Sequence, residues 1–195
     1  MASSPTINLR DLVVLIADSS PYLSMIVHSI LRGFGTNKVL EVRDSIGVLQ
    51  ALSGQKIDIL LCDARLPPHG GLSVTHAIRR KVDNENRMIP ILLMSSDTRE
   101  KAIRQARDVG ANMVIAKPIA PSSLYDRLAW IALTPRKFVD APTYFGPDRR
   151  FKIEGYPGGV GRRKSDNVQV AEESGPALAQ NDIDNLFNAA QMGKD

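Results

Sequence analysis

Ile57-Asp58-Ile59-Leu60-Leu61-Cys62-Asp63-Ala64-Arg65-Leu66-Pro67-Pro68-His69-Gly70-Gly71, residues 57–71, is the stretch that decides the fold. Its first half, Ile57 to Cys62, is a nearly continuous apolar run of strand length, and the prolines and glycines that follow end it. A strand of that kind is buried on both faces, as in a parallel sheet covered by helices. Upstream, Leu12 to Ile16 is a similar run. A helical pattern follows, with Tyr22, Met25, Ile26, Ser29 and Ile30 on one face, ending at Gly33. Lys38 to Val42 reads as a second strand, and Ile46, Leu49, Gln50 and Leu52 as a short helix that stops at Gly54. Downstream, Leu72–Val82 is helical, Ile89–Met94 is a fourth strand and Ala102–Val109 is a helix closed by Gly110. Met113–Ala116 is a fifth strand, and Leu124–Leu133 a last helix. Five strands, each followed by a helix, predict an α/β doubly wound five-stranded parallel sheet over residues 11–133, with right-handed crossovers and a short tail at 1–10.

Composition bounds what such a domain can be. The chain has 195 residues and one cysteine, which excludes a disulfide framework and a cysteine-built zinc site. No apolar run is longer than Leu12 to Ala17, which is far too short for a membrane span. No basic-then-apolar leader follows Met1, so a soluble, cytoplasmic protein without membrane insertion is expected. The net charge of +4 is unevenly spread. Residues 1–133 carry 16 basic and 12 acidic side chains, residues 134–170 carry 8 and 4, and residues 171–195 carry 1 and 5. The basic middle piece suggests an anionic ligand.

The strand ends carry the first candidate site. Ligands of doubly wound sheets sit beyond the carboxyl ends of the strands. Here those ends supply Asp18, Asp63, Ser95 and Lys117. Two carboxylates can hold a hard divalent cation. A cation and Lys117 would offset charge on a phosphoryl group at Asp63, with Ser95 donating a hydrogen bond. Cys62 reads as strand core, and His28, His69 and His76 as surface or packing residues on separate elements.

At these positions residues 11–133 resemble the receiver domain of bacterial response regulators, the CheY-like variant of the flavodoxin-like fold. The resemblance rests on an acid after strand one, Asp63 followed by Pro67 and Gly71, a hydroxyl after strand four, and Lys117-Pro118. It implies Asp63 as phosphoacceptor, with Asp18, Asp63 and the backbone carbonyl of Arg65 as Mg²⁺ ligands. Ser95 would be the switch hydroxyl and Lys117 the phosphate partner. Three positions depart from the pattern: Ala17 replaces one of two acids, Arg65 aims a cation at a cation site, and Val114 stands where an aromatic switch residue is expected. Both a working phosphoacceptor and a receiver kept only as a scaffold remain open.

Residues 134–170 hold four prolines and five glycines and no period of 2 or 3.6, so disorder without a ligand is expected. Two half-similar pieces stand out, Tyr144 to Arg150 and Tyr156 to Arg163, each with an aromatic upstream of an arginine pair. Arginine forks read guanine bidentately, and a carboxylate accepts from the same base. The combination suits a guanine nucleotide with several phosphates. A solvated basic linker is the plainer alternative. Four acids argue against DNA or RNA contact. A receiver with such a tail resembles the Cle class of cyclic di-GMP effectors. That implies contacts from Asp148, Arg149, Arg150, Tyr156, Arg162, Arg163 and Asp166, wrapping a stacked dinucleotide dimer, in a protein that tunes the flagellar motor, motility and surface attachment.

Residues 171–195 are acidic and carry a short amphipathic pattern, with Ile183, Leu186 and Phe187 on one face. The stretch from Leu178 to Ala189 resembles the N-terminal peptide of the flagellar switch protein FliM, which CheY-type receivers bind as a helix. Such a helix is marginal alone and could lie on its own receiver, on another, or simply pack as an end helix. The expectation is therefore a non-enzymatic response regulator that binds cyclic di-GMP, with a FliM-type motor switch as partner and recruitment to the flagellated pole. The rival is a phosphorelay receiver phosphorylated on Asp63 by a histidine kinase, its tail a linker. The acidic, lysine-bearing crevice is wrong for a flavin phosphate.

Overall fold

The computed structural model describes residues 7–81, 85–149 and 180. Five strands, β1 (Val13–Ala17), β2 (Lys38–Val42), β3 (Ile59–Asp63), β4 (Ile91–Ser95) and β5 (Met113–Ala116), form one parallel sheet in the order β2-β1-β3-β4-β5. Five α-helices alternate with them: α1 (Pro21–Gly33), α2 (Ser45–Gly54), α3 (Gly71–Arg80), α4 (Glu100–Asp108) and α5 (Pro121–Leu133). A short 3₁₀ turn, Glu85–Met88, precedes β4. This is the doubly wound arrangement expected from the sequence. Among the described residues no helix is long and apolar enough to cross a membrane.

The strands alternate strictly between two cores because successive side chains point to opposite faces. Leu60 and Cys62 of β3 join Leu15, Leu93 and Val114 beneath α2, α3 and α4. Ile59 and Leu61 join Ile16, Leu92 and Ile115 beneath α1 and α5. Each fully buried Leu or Ile contributes roughly 1.5–3 kcal/mol relative to exposure. The first helix begins with Ser20, whose hydroxyl accepts from the Leu23 N–H, and with Pro21 in its first turn, where a missing N–H costs nothing. The second begins with Asp44, which accepts from the Gly47 N–H at 2.7 Å.

The helix faces need correction. Tyr22 and Met25 are 70% and 57% exposed, and α1 buries Ser24, Val27 and Leu31 instead. The buried stripe was hidden because its first member is polar: Ser24 Oγ accepts from Arg43 at 2.7 Å. Likewise α2 turns Ile46 and Leu49 outward and buries Ser45, Val48 and Leu52. Both helices carry apolar residues on more than one face, so periodicity alone does not choose between them.

The folded unit also continues past Leu133. Two strands, β6 (Phe138–Ala141) and β7 (Tyr144–Pro147), make an antiparallel hairpin closed by Pro142 and Thr143. The expectation of disorder fails over this part of 134–170. Its aromatics are sheltered by guanidinium planes of distant receiver arginines, a pairing that local composition does not reveal. Arg79 lies 5.0 Å from the Phe138 ring centroid and Arg87 3.4 Å from that of Phe145. Arg79 is 1% exposed and donates to the carbonyls of Gly110, Arg87 and Ile89 and to Asn112 Oδ1. Burial pushes its pKa down to about 9, which leaves it charged at neutral pH. Gly110, at φ +96°, closes α4, and a Cβ there would sit 2.9 Å from the Phe145 carbonyl oxygen. The hairpin thus packs where β4 and β5 begin, at the end of the sheet opposite the carboxyl ends.

Candidate functional site

The carboxyl ends of β1, β3, β4 and β5 deliver their side chains to one crevice. Lys117 Nζ lies 2.7 Å from Asp18 Oδ2 and 3.1 Å from Asp63 Oδ1. Asp18 is almost wholly buried, and its other oxygen accepts from the Ser20 N–H at 2.8 Å. Asp63 Oδ1 accepts from the Arg65 N–H at 3.2 Å. The loop after Asp63 is pinned from behind by α3. Gly71 N donates to Ala64 O, and a Cβ at Gly71 would fall 2.1 Å from the Asp63 carbonyl oxygen. Only glycine fits there, which gives the Gly71 of the sequence pattern a physical reason.

Two carboxylates face one ammonium, leaving a net negative charge in a partly desolvated site. The donor set suits a small hard cation, because Mg²⁺ commonly takes one or two carboxylates and otherwise keeps waters or phosphate oxygens. Asp18, Asp63 and the Arg65 carbonyl would hold it. No third acid joins them: among the described residues no group of three or more His, Cys, Asp or Glu side chains is placed to hold a metal ion. Ala17 leaves that corner without a ligand.

The Arg65 side chain reaches across to the residue after Ser95. Its Nη2 donates to Ser96 Oγ at 2.6 Å. Ser95 Oγ is occupied within its own loop, donating to Asp97 O at 2.9 Å and accepting from Asp97 N at 3.0 Å. Turning it towards Asp63 would sacrifice both bonds. The Val114 side chain is buried in the core beneath α4, so no exposed ring is available to swing there. The Cys62 thiol, with no exposure, is pushed far above its ordinary pKa by burial first and then by Asp63 and Asp18. It is strand core, not a nucleophile.

Of the residues assigned to the arginine-rich site, the structure describes Asp148 and Arg149. Arg149 pairs with Asp108 at 2.7 Å, and its guanidinium lies 3.7 Å from the Tyr144 ring centroid. Asp148, Arg149 and Tyr144 line a cavity of about 430 Å³ together with Arg107 of α4. Arg107 Nε is buried with no hydrogen-bond partner among the described residues. Sequence reasoning paired Tyr144 with the first arginine pair but missed Arg107, since α4 is distant in the chain. Arg150, Tyr156, Arg162, Arg163 and Asp166, and likewise Leu178, Ile183, Leu186 and Phe187, lie outside the described residues.

The family profile of the response regulator receiver domain matches residues 14–129. The chain is similar to the sensory/regulatory protein RpfC of Xanthomonas campestris pv. campestris, 29% identical over 135 residues. That alignment covers 69% of the chain and only 18% of RpfC, so the chain spans under a fifth of that relative's length. It is also similar to chemotaxis protein CheY-3 of Vibrio cholerae, 27% identical over 119 residues, covering 61% of the chain and 90% of CheY-3. Among solved structures, the receiver domain of a sensor histidine kinase from Pseudomonas aeruginosa PAO1 matches with a TM-score of 0.54 and 27% identity, over 61% of this chain and 94% of that one. That structure has a magnesium ion coordinated in its active-site cleft.

Proposed function

The chain belongs to the response regulator receiver family, and from that premise we propose that it is a phosphorelay module whose Asp63 accepts a phosphoryl group from a histidine kinase. The observation that carries this is the Lys117 ammonium spanning Asp18 and Asp63 at 2.7 and 3.1 Å. In the transfer, an Asp63 carboxylate oxygen forms a P–O bond as the bond from phosphorus to the donor breaks. The donor leaves as neutral imidazole, or as acetate when acetyl phosphate is used. Lys117, already within contact of Asp63, offsets charge on the equatorial phosphoryl oxygens. Asp18 keeps the ammonium in place, and its tie to the Ser20 N–H fixes its rotamer. A divalent cation at Asp18, Asp63 and the Arg65 carbonyl would supply further neutralisation, weakly because Ala17 contributes no ligand. The module signals rather than turning over a substrate of its own. The relatives' names, a sensory/regulatory protein and a sensor histidine kinase, support a kinase partner. Acetyl phosphate with Mg²⁺ should label the chain, and Asp63→Asn should not be labelled. Equal labelling of Asp63→Asn removes the assignment.

A second reading is that the basic tail binds cyclic di-GMP and the receiver reports it to a flagellar motor switch in the cytoplasm. It is favoured by the cavity in which Arg107, Tyr144, Asp148 and Arg149 meet, an aromatic and cationic surface with a carboxylate beside it. Likeness to a protein named for chemotaxis supports a role in motility. Calorimetric titration of cyclic di-GMP into the full chain and into a chain ending at residue 149 tests it. Binding should need the tail beyond 149 and should favour guanine over adenine dinucleotide, each bidentate contact being worth roughly 1–3 kcal/mol. No heat in the full chain leaves the tail as a linker.

A further inference from the structure

An edge strand presents unpaired backbone N–H and C=O groups, which folded proteins cover. The order β2-β1-β3-β4-β5 leaves one side of β5 without a strand neighbour. Lys117 N donates inward to Ser95 O at 2.8 Å, so the alternate residues Val114 and Ala116 turn their backbone groups outward. Gln180 meets them. Its Oε1 accepts from the Ala116 N–H at 2.6 Å, and its Nε2 donates to the Val114 carbonyl at 3.2 Å. A carboxamide carries a donor and an acceptor side by side in one plane, so this one side chain makes the pair of bonds that a neighbouring strand would make. The contact joins residues 64 and 66 positions apart, and the Gln180 side chain is part-buried in making it.

We propose that the C-terminal segment is the resident occupant of the β5 edge of its own receiver, anchored there by Gln180. The intervening chain permits it: about 30 residues reach on the order of 100 Å when extended, ample to pass from the hairpin to β5. Around the anchor the sequence supplies Leu178, Ile183, Leu186 and Phe187, apolar side chains that need a surface. Ala116 immediately precedes Lys117, so the anchor sits one residue from the crevice. A partner that docks on this edge must first displace the segment.

Hydrogen exchange of the full chain, resolved to single amides, reads the anchor directly. The Ala116 amide should exchange at least about tenfold faster in Gln180→Ala. It should do the same in Gln180→Leu, which keeps the bulk but removes both bonds. The Lys117 amide, bonded to Ser95, should be unchanged and serves as the control for folding. Unaltered exchange at Ala116 in both variants overturns the proposal. Protection that is lost on dilution of the wild-type chain also overturns it, since the glutamine would then come from a second copy.

Discussion

The two ends of the sheet hold cations in opposite ways. At the carboxyl end, Lys117 sits between two carboxylates, one of them the proposed phosphoryl acceptor. At the other end, Arg79 is buried with no carboxylate partner among its hydrogen bonds, and three backbone carbonyls, the Asn112 amide oxygen and the Phe138 ring surround it. A point charge on a flexible stem suits a site where the partner varies. A planar fork with five donors suits a joint that must not vary. One end is arranged for chemistry and the other for holding loops together.

That contrast can be broken most decisively at Arg79. Arg79→Met should cost about 3–5 kcal/mol in urea unfolding, because buried carbonyls lose their donors. Arg79→Lys should recover only a small part, since one ammonium cannot reach four acceptors. Acetyl phosphate labelling of Asp63 in the folded fraction should be unchanged, and a loss of labelling would mean the two ends are coupled. Next in size is Lys117→Met, which should slow labelling about a hundredfold or more, near 2.7 kcal/mol in the barrier. Stopped-flow labelling measures it, and a normal rate would remove Lys117 from the transfer.

Gly71→Ala sharpens the comparison within the crevice. An added methyl against the Asp63 carbonyl should destabilise the fold by about 1–3 kcal/mol and also slow labelling, as the loop must shift. Thermal melting and labelling together check it. The smallest effect is expected at Asp97, which the Arg99 guanidinium holds down at about 2. A depressed carboxyl stabilises the fold above its unfolded pKa of roughly 4 and loses that contribution as pH falls through about 2. The pair is solvent-exposed, so screening keeps the gain small. The difference in melting temperature between wild type and Asp97→Asn should shrink between pH 4 and 2, because the pair breaks on protonation.

The sheet and its crevice were legible because their signals are local. Each buried strand is a short apolar run, and Asp18, Asp63, Ser95 and Lys117 all stand at or just beyond the ends of such runs. The ends of β2 and β5 agree with the sequence reading residue for residue. What escaped was set by distant partners. The stripe of α1 that faces the core begins with a serine that only Arg43 explains. Nothing near Phe138 or Phe145 in the chain announces that Arg79 and Arg87 will cover them. Gln180 looks like one more polar residue in an amphipathic pattern until β5 is seen beside it. Nor does the sequence near Arg65 announce that its guanidinium will reach Ser96, well downstream in the chain.

One more consequence follows from Cys62. It is the chain's only thiol, it stands directly before Asp63, and it is shielded from both solvent and ionisation. A thiol reagent can therefore reach it only when the helices packed over that face, α3 nearest, lift from the sheet, and the rate of modification reports that opening. The protein carries an internal clock for its own opening, placed beside the residue whose chemistry is in question. Timing that clock with and without acetyl phosphate would tell whether an occupied crevice holds this layer shut, with no residue substituted.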